Sequence, residues 1–479
     1  MSGWYEQARA DWLNNRSAGY LADLFSTALV EDKKDDLPYL SREILDLGDR
    51  IPKGLQRLAL NVLHDDAEVV SNAKFDLSVK VEKEAVSRYV SRLRKRVVEF
   101  PGNAFAWHDL SYMYNLLGEQ RKAERAMLVA LRVSSSHRVI ARSASRFYMH
   151  QSDPESASKV LRRAQGFSKD PWLLAAHVAV AQASGEESGQ LTVARRLYEQ
   201  LTNRLQSSEL GMALATQEML LGRNKKAKVI AREASFLPTE NALAQGVWLA
   251  SKLHADIVQK DVVASASLAF EARSWEAYYK GAWAESAKYA IEWLSYEPFS
   301  VEPAIHGSFI AATYLRDFHM CLDIANFGLI SNPESWGLKN NKVVALASLG
   351  KVGDALEEFT RLGMPNEDAA NYVVWLATNG LLLYRQGLIE DGRASYAKSS
   401  DMIEKRKDRT AALVSTFFQS AEEARLGNME QAVALVNKAG LKFGGMRADK
   451  TMASIFEFDV LNASSKELQQ RIEQLRDLQ

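Results

Sequence analysis

One recurrence constrains this chain more than any other feature. A turn residue is followed five places later by a small side chain and four places after that by an apolar one. The first two steps run Gly118/Ala123, Ser152/Ala157, Gly222/Ala227, Gly281/Ser286, Arg316/Cys321, Gly350/Ala355, Gly387/Gly392 and Gly427/Ala432. The apolar positions are Met127, Leu161, Ala231, Ala290, Ala325, Phe359, Tyr396 and Val436. Steps of three and four residues bring side chains to one face of a helix. The pattern therefore predicts short helices meeting in pairs across a tight turn, each pair touching through small side chains. Such a pair cannot bury its own apolar faces and needs copies of itself on either side.

The stretch Asn103 to Ser136 is the fullest unit. Trp107, Leu110 and Tyr114 form an apolar stripe on a first helix, Gly118 ends it, and Ala123, Met127 and Ala130 continue the spacing on a second helix. This order resembles the tetratricopeptide (TPR) repeat. The resemblance extends over roughly residues 80–440 in about nine or ten repeats of 34 to 40 residues. It implies an all-α, right-handed superhelical solenoid of antiparallel helix pairs. Three regions are expected: an N-terminal helical capping region at 1–78, the TPR-like solenoid at 79–440, and a C-terminal helical cap at 441–479. The N-terminal cap rests on turns at Asp35–Pro38 and Ile51–Gly54 and an apolar patch at Leu55, Leu58, Leu60, Val62 and Leu63. The C-terminal cap rests on a Ser464/Ser465 and Glu467 capping box before Leu468, Ile472 and Leu475. Spacing loosens between Pro238 and Gly281, where the pattern predicts one overlong first helix.

Composition fits an array better than a set of compact domains. The chain has 479 residues, 47% of them hydrophobic, 10 prolines and a formal net charge of zero. No run approaches the 18 or so apolar residues that cross a bilayer, and no basic start precedes an apolar core. Cys321 is the single cysteine, which excludes an intramolecular disulfide framework and suits a reducing compartment. A cytoplasmic protein without membrane contact is expected.

The chain lacks the phosphate-binding, dinucleotide, zinc-protease and nucleophile-elbow signatures. Neither a catalytic residue, a metal site nor a cofactor is expected. Cys321 stands in a small-residue slot and reads as packing.

Charge is uneven. Lys80 to Asp170 holds 18 Lys and Arg against 9 Asp and Glu, a net charge of +9 that the rest of the chain balances with −9. Within it Arg138, Arg142, Arg146 and His150 follow one another at spacing four, on one face of a first helix. TPR first helices line the inner surface. Together with His108, Tyr112 and Asn115 of the preceding repeat, these residues are expected to form a partner-binding patch in the concave groove. The competing reading is a solvated face whose arginines pair with nearby acids such as Glu99, Glu119 and Asp153. A second cluster, from Trp275 to Phe299, is aromatic and reads as packing, with the loop Glu297–Pro303 as an exposed contact.

The function implied is a non-enzymatic interaction scaffold or adaptor. It would bind a protein or peptide partner, one carrying an acidic segment, and position or regulate it as a subunit of an operon-encoded complex; a homo-oligomer stays open. The alternative is RNA or single-stranded nucleic acid on segment 80–170.

Overall fold

The computed structural model describes residues 4–30, 33, 35–48, 56, 59–60, 62–63, 83–135, 137–186, 188–259, 262–263, 266, 268–406 and 409–435. No strand occurs among them. The chain divides into two compact units, Met1–Val79 and Lys80–Gln479. The predicted C-terminal capping helix, the Ile51–Gly54 turn and Val436 lie outside the described residues.

In the first unit, α1 (Trp4–Asn14), α2 (Ala18–Val30) and α3 (Leu37–Asp46) pack around Trp12, Leu24, Phe25, Leu40 and Ile44. Pro38 stands in the first turn of α3, where its missing N–H costs nothing.

The second unit opens with a single helix, α4 (Lys83–Glu99). Antiparallel pairs follow, a first helix given before its second: α5 (Ala104–Leu116) with α6 (Gln120–Val133), α7 (Arg138–His150) with α8 (Pro154–Arg163), α9 (Pro171–Ala183) with α10 (Leu191–Gln200), and α11 (Arg204–Leu220) with α12 (Asn224–Ala234). After α13 (Glu240–Leu253) come α14 (Phe270–Tyr279) with α15 (Trp283–Tyr296), α16 (Val301–Thr313) with α17 (Phe318–Ser331), α18 (Trp336–Ser348) with α19 (Val352–Leu362), and α20 (Tyr372–Arg385) with α21 (Ile389–Arg406). The last first helix among the described residues is α22 (Arg409–Arg425), and residues 429–435 are helical beyond it. This is the all-α array of helix pairs that the TPR-like pattern implies.

All eight predicted turn residues have positive φ, from 54° at Arg316 to 82° at Gly427, and only Ser152 and Arg316 among them are not glycine. The left-handed residue reverses the chain so that the next N–H bonds back into the last helical turn. Glu119 N–H donates to Tyr114 O at 2.9 Å, Lys351 to Leu346 at 2.9 Å and Asn428 to Glu423 at 2.9 Å. The small residues five places on are buried: Ala123, Ala157, Ala227, Ser286, Cys321, Ala355 and Ala432 expose none of their surface. At Gly392 a Cβ would lie 2.7 Å from Tyr384 Cδ2.

A second small position, not singled out in the sequence, lies on the first helix seven residues before the turn. In six of the eight repeats it is Ser111, Ser145, Ala215, Ser274, Gly380 and Ser420, all buried, while Phe309 and Val343 stand there in the other two. Three of these serines bridge the pair directly: Ser111 Oγ donates to Ala123 O at 2.7 Å, Ser274 Oγ to Ser286 O at 2.9 Å and Ser420 Oγ to Ala432 O at 3.0 Å.

The overlong first helix expected after Pro238 is corrected. Helix α13 stops at Leu253, where His254 takes φ 45°, and a new helix begins at Phe270. The array also returns onto its own start: Ser331 Oγ donates to Leu116 O at 3.2 Å across 215 residues. Gly118 is required there for a second reason, because a Cβ would lie 2.6 Å from Ile330 O.

Two substitutions test this packing. Ala355→Arg forces bulk and charge into a contact with no free surface and is expected to cost at least ~1–3 kcal/mol in urea unfolding. Ser152→Gly relieves a left-handed residue with an exposed side chain and is expected to stabilise the chain by about 1 kcal/mol. A destabilised Ser152→Gly would contradict the role given to the turns.

Candidate functional site

Helix α7 has two faces. Ile140, Ala141, Ala144, Phe147 and Tyr148 are buried, which turns Arg138, Arg142, Arg146 and His150 the other way. Each arginine meets a carboxylate far along the chain rather than the nearby acids of the solvated-face reading. Arg138 Nε lies 2.5 Å from Asp170 Oδ2, with its guanidinium 4.3 Å from the centre of the Trp172 ring. Arg142 Nη2 lies 2.5 Å from Glu209 Oε2, whose other oxygen accepts from Thr239 Oγ1 at 3.0 Å. Arg146 pairs with Glu297, which also accepts from Trp293 Nε1 at 3.2 Å. Glu119 pairs instead with Lys122, and Asp153 accepts from the Ser156 N–H at the start of α8.

Phe299 gathers the rest of the patch. Tyr112 and His150 meet it edge-on, with centroids 5.1 Å and 5.5 Å away, and Arg146 sits 5.5 Å from its ring centre. The loop expected as an exposed contact is therefore docked on α5 and α7. The structure brings Tyr112, Arg146 and His150 together around one ring and sends Arg138 and Arg142 to separate acids. His108 Nδ1 lies 3.1 Å from its neighbour Asp109. Asn115 makes no side-chain hydrogen bond among the described residues.

Burial shapes the proton affinities. Desolvation lowers the His150 pKa, so the imidazole is neutral near pH 7, and its buried Nε2 has no hydrogen-bond partner among the described residues. The Tyr112 phenol is pushed up to about 12 by desolvation and by Glu297. Glu271, on α14, is raised to about 7 by desolvation, with Glu297 and Glu302 adding to the shift and Arg146 opposing it. No group of three His, Cys, Asp or Glu among the described residues could hold a metal ion. The Cys321 thiol is buried and pushed up to about 12, so it is protonated and unreactive near neutral pH. Trp283 stacks on Tyr314 with centroids 3.9 Å apart, inside the core with Ile310 and Phe417, so this part of the aromatic cluster is packing.

A different basic surface lies at the start of the second unit. A trough of about 680 Å³ lies beside α4, α5 and α6. Its floor includes Val97, Trp107, Leu110 and Tyr114, and Val98 beside them is 79% exposed. Around it stand Arg94, Lys95, Lys122 and Arg125. Arg94, Lys95 and Arg125 have no carboxylate partner among the described residues. These cations lie within the basic segment 80–170, but spacing alone does not distinguish a paired arginine from an unpaired one.

No family model matches the chain, and no curated protein does. Among solved structures it is similar to the human IFIT1 dimer with PPP-AAAA at 14% identity and TM-score 0.34, covering 85% of this chain and 94% of that one. It is similar to yeast Tom70 at 13% identity and TM-score 0.31, covering 96% and 95%. It is also similar to the P58(IPK) TPR domain at 12% identity and TM-score 0.21, covering 65% and 95%. At these scores the likeness carries no residue-level correspondence.

Glu271 supplies a pH test. The folded protein holds its proton more tightly than the unfolded chain, so this contribution to stability is complete below pH ~4.5 and is lost as pH rises through about 7. Buried His306 opposes it: desolvation lowers its pKa to about 4, so its contribution is complete above pH ~6.5 and lost as pH falls through about 4. Glu271→Gln is expected to gain roughly 2 kcal/mol on the wild-type protein between pH 5 and pH 8, measured by urea unfolding. A pH-independent difference would contradict the assignment.

Proposed function

We propose that this chain is a non-enzymatic, TPR-like scaffold that binds a protein partner through basic and apolar surfaces of its helix pairs and holds that partner in place. The observation that carries the proposal is the trough beside α4, α5 and α6, where Arg94, Lys95 and Arg125, without acid partners among the described residues, stand around an apolar floor. Such a surface suits an amphipathic helix whose apolar stripe meets Val98 and Trp107 and whose flanking acids meet Arg94 and Arg125. A rigid helical surface loses little conformational entropy when it binds.

The inner patch of His108, Tyr112, Asn115, Arg138, Arg142, Arg146 and His150 is the second contact proposed. Arg138 and Arg146 keep 46% of their side-chain surface exposed, so an acidic segment can reach them, in competition with Asp170 and Glu297. A cytoplasmic setting is in keeping with the single buried thiol and with the finding that no described helix is long and apolar enough to cross a membrane.

The test uses a labelled amphipathic peptide with a leucine stripe flanked by glutamates, read by fluorescence anisotropy on the full chain. Arg94→Glu/Arg125→Glu is expected to weaken its binding at least ~10-fold, and Val98→Asp to do the same without a charge swap at the rim. Arg142→Glu/Arg146→Glu tests the inner patch by the same readout. Equal binding by all variants, or tighter and steeply salt-dependent binding of a labelled single-stranded RNA to the same residues, would overturn the proposal.

A further inference from the structure

Independently of that reading, a cavity of about 320 Å³ lies among four successive first helices, α16, α18, α20 and α22. Its walls are apolar, with Phe309, Val344, Val373, Ala377, Leu381 and Phe418 prominent, and no charged side chain lines it. The volume falls in the range of small-molecule sites.

Three buried polar side chains face this apolar space. Asn340 is 4% exposed, Thr313 3% and Ser415 8%. Thr378 Oγ1 donates to Asn340 Oδ1 at 2.8 Å, which uses the amide oxygen and leaves Asn340 Nδ2 without a hydrogen-bond partner among the described residues. Thr313 Oγ1 and Ser415 Oγ likewise have no partner among them. Asn340 Nδ2, Thr313 Oγ1 and Ser415 Oγ are therefore free to bond to whatever occupies the hollow. A group of three in one hollow marks where a hydrogen-bonding guest belongs.

We propose that this cavity binds a neutral, largely apolar small molecule carrying one hydrogen-bonding group. An ionised ligand would be desolvated against walls that offer no counter-charge. An aliphatic or phenyl side chain from a protein partner would fill the space but leave Asn340, Thr313 and Ser415 unsatisfied. A small molecule with a hydroxyl, amide or amine answers both requirements.

The probe is N-phenyl-1-naphthylamine, a neutral apolar dye with one N–H whose fluorescence rises in apolar surroundings. The full chain is expected to bind it saturably at one site and to release it to 1-decanol. Ala377→Phe, which fills the cavity, is expected to weaken the dye at least ~10-fold while helical circular dichroism and melting temperature are kept. If that variant unfolds, Val374→Trp at the cavity's partly exposed edge serves in its place, and decanol displacement needs no variant. The anionic analogue 1-anilinonaphthalene-8-sulfonate is expected to give a signal that Ala377→Phe leaves unchanged, because charge keeps it out. Non-saturable dye binding, unaltered affinity in both variants, or an equal loss for the anionic analogue would overturn the proposal.

Discussion

The closeness with which the two helices of each pair approach governs everything else in the second unit. Ala123, Ala157, Ala227, Ser286, Cys321 and Ala355 sit at that contact with no exposed surface. Serines such as Ser111, Ser274 and Ser420 donate across it to backbone carbonyls. Such tight contact leaves no room for larger side chains, since interiors are packed to crystal density. The left-handed turn between the helices serves the same end, since it turns the chain within a few residues and bonds the next N–H back to the helix it leaves. Pairs built this way are stiff units, and stacking them is the only route to burying their remaining apolar faces.

Stacking has a consequence that no single repeat foreshadows. As pairs accumulate, the array comes back to its beginning, and α17 reaches the end of α5 through Ser331 and Leu116. The same return sets Glu297 and Phe299 against Arg146, Tyr112 and His150. Arg138, Arg142 and Arg146 are thus held by carboxylates contributed from far along the chain. Arg94, Lys95 and Arg125, beside α4 and α6, have no such partner among the described residues. The contrast between paired and unpaired cations within one basic segment is therefore a product of topology rather than of composition.

This division explains what the sequence made legible. Turn residues and small contacts are local, spaced by the helix itself, and the eight positions read from the pattern all adopt positive φ, including Ser152 and Arg316, which composition would not nominate. The helical class and the register follow from the same spacing. The partners of Arg138, Arg142 and Arg146 were out of reach, since Asp170, Glu209 and Glu297 lie 32, 67 and 151 residues away. Nearby acids were the natural candidates, yet Glu119 and Asp153 serve local turns. The break at His254 was hidden because helical periodicity continues on both sides of it. The apolar cavity was equally invisible: Asn340 and Thr313 look ordinary in sequence and acquire meaning only when four first helices bring them to one hollow.

Amide hydrogen exchange read by mass spectrometry on Ala227→Leu tests most directly whether tight helix pairs coupled to their neighbours hold this chain together. The extra bulk at that fully buried contact is expected to remove protection from Arg204–Ala234 and from the pairs stacked on either side, while Tyr372–Arg406 keeps its protection. Uniform loss of protection across the whole second unit, or none at all, would contradict the account.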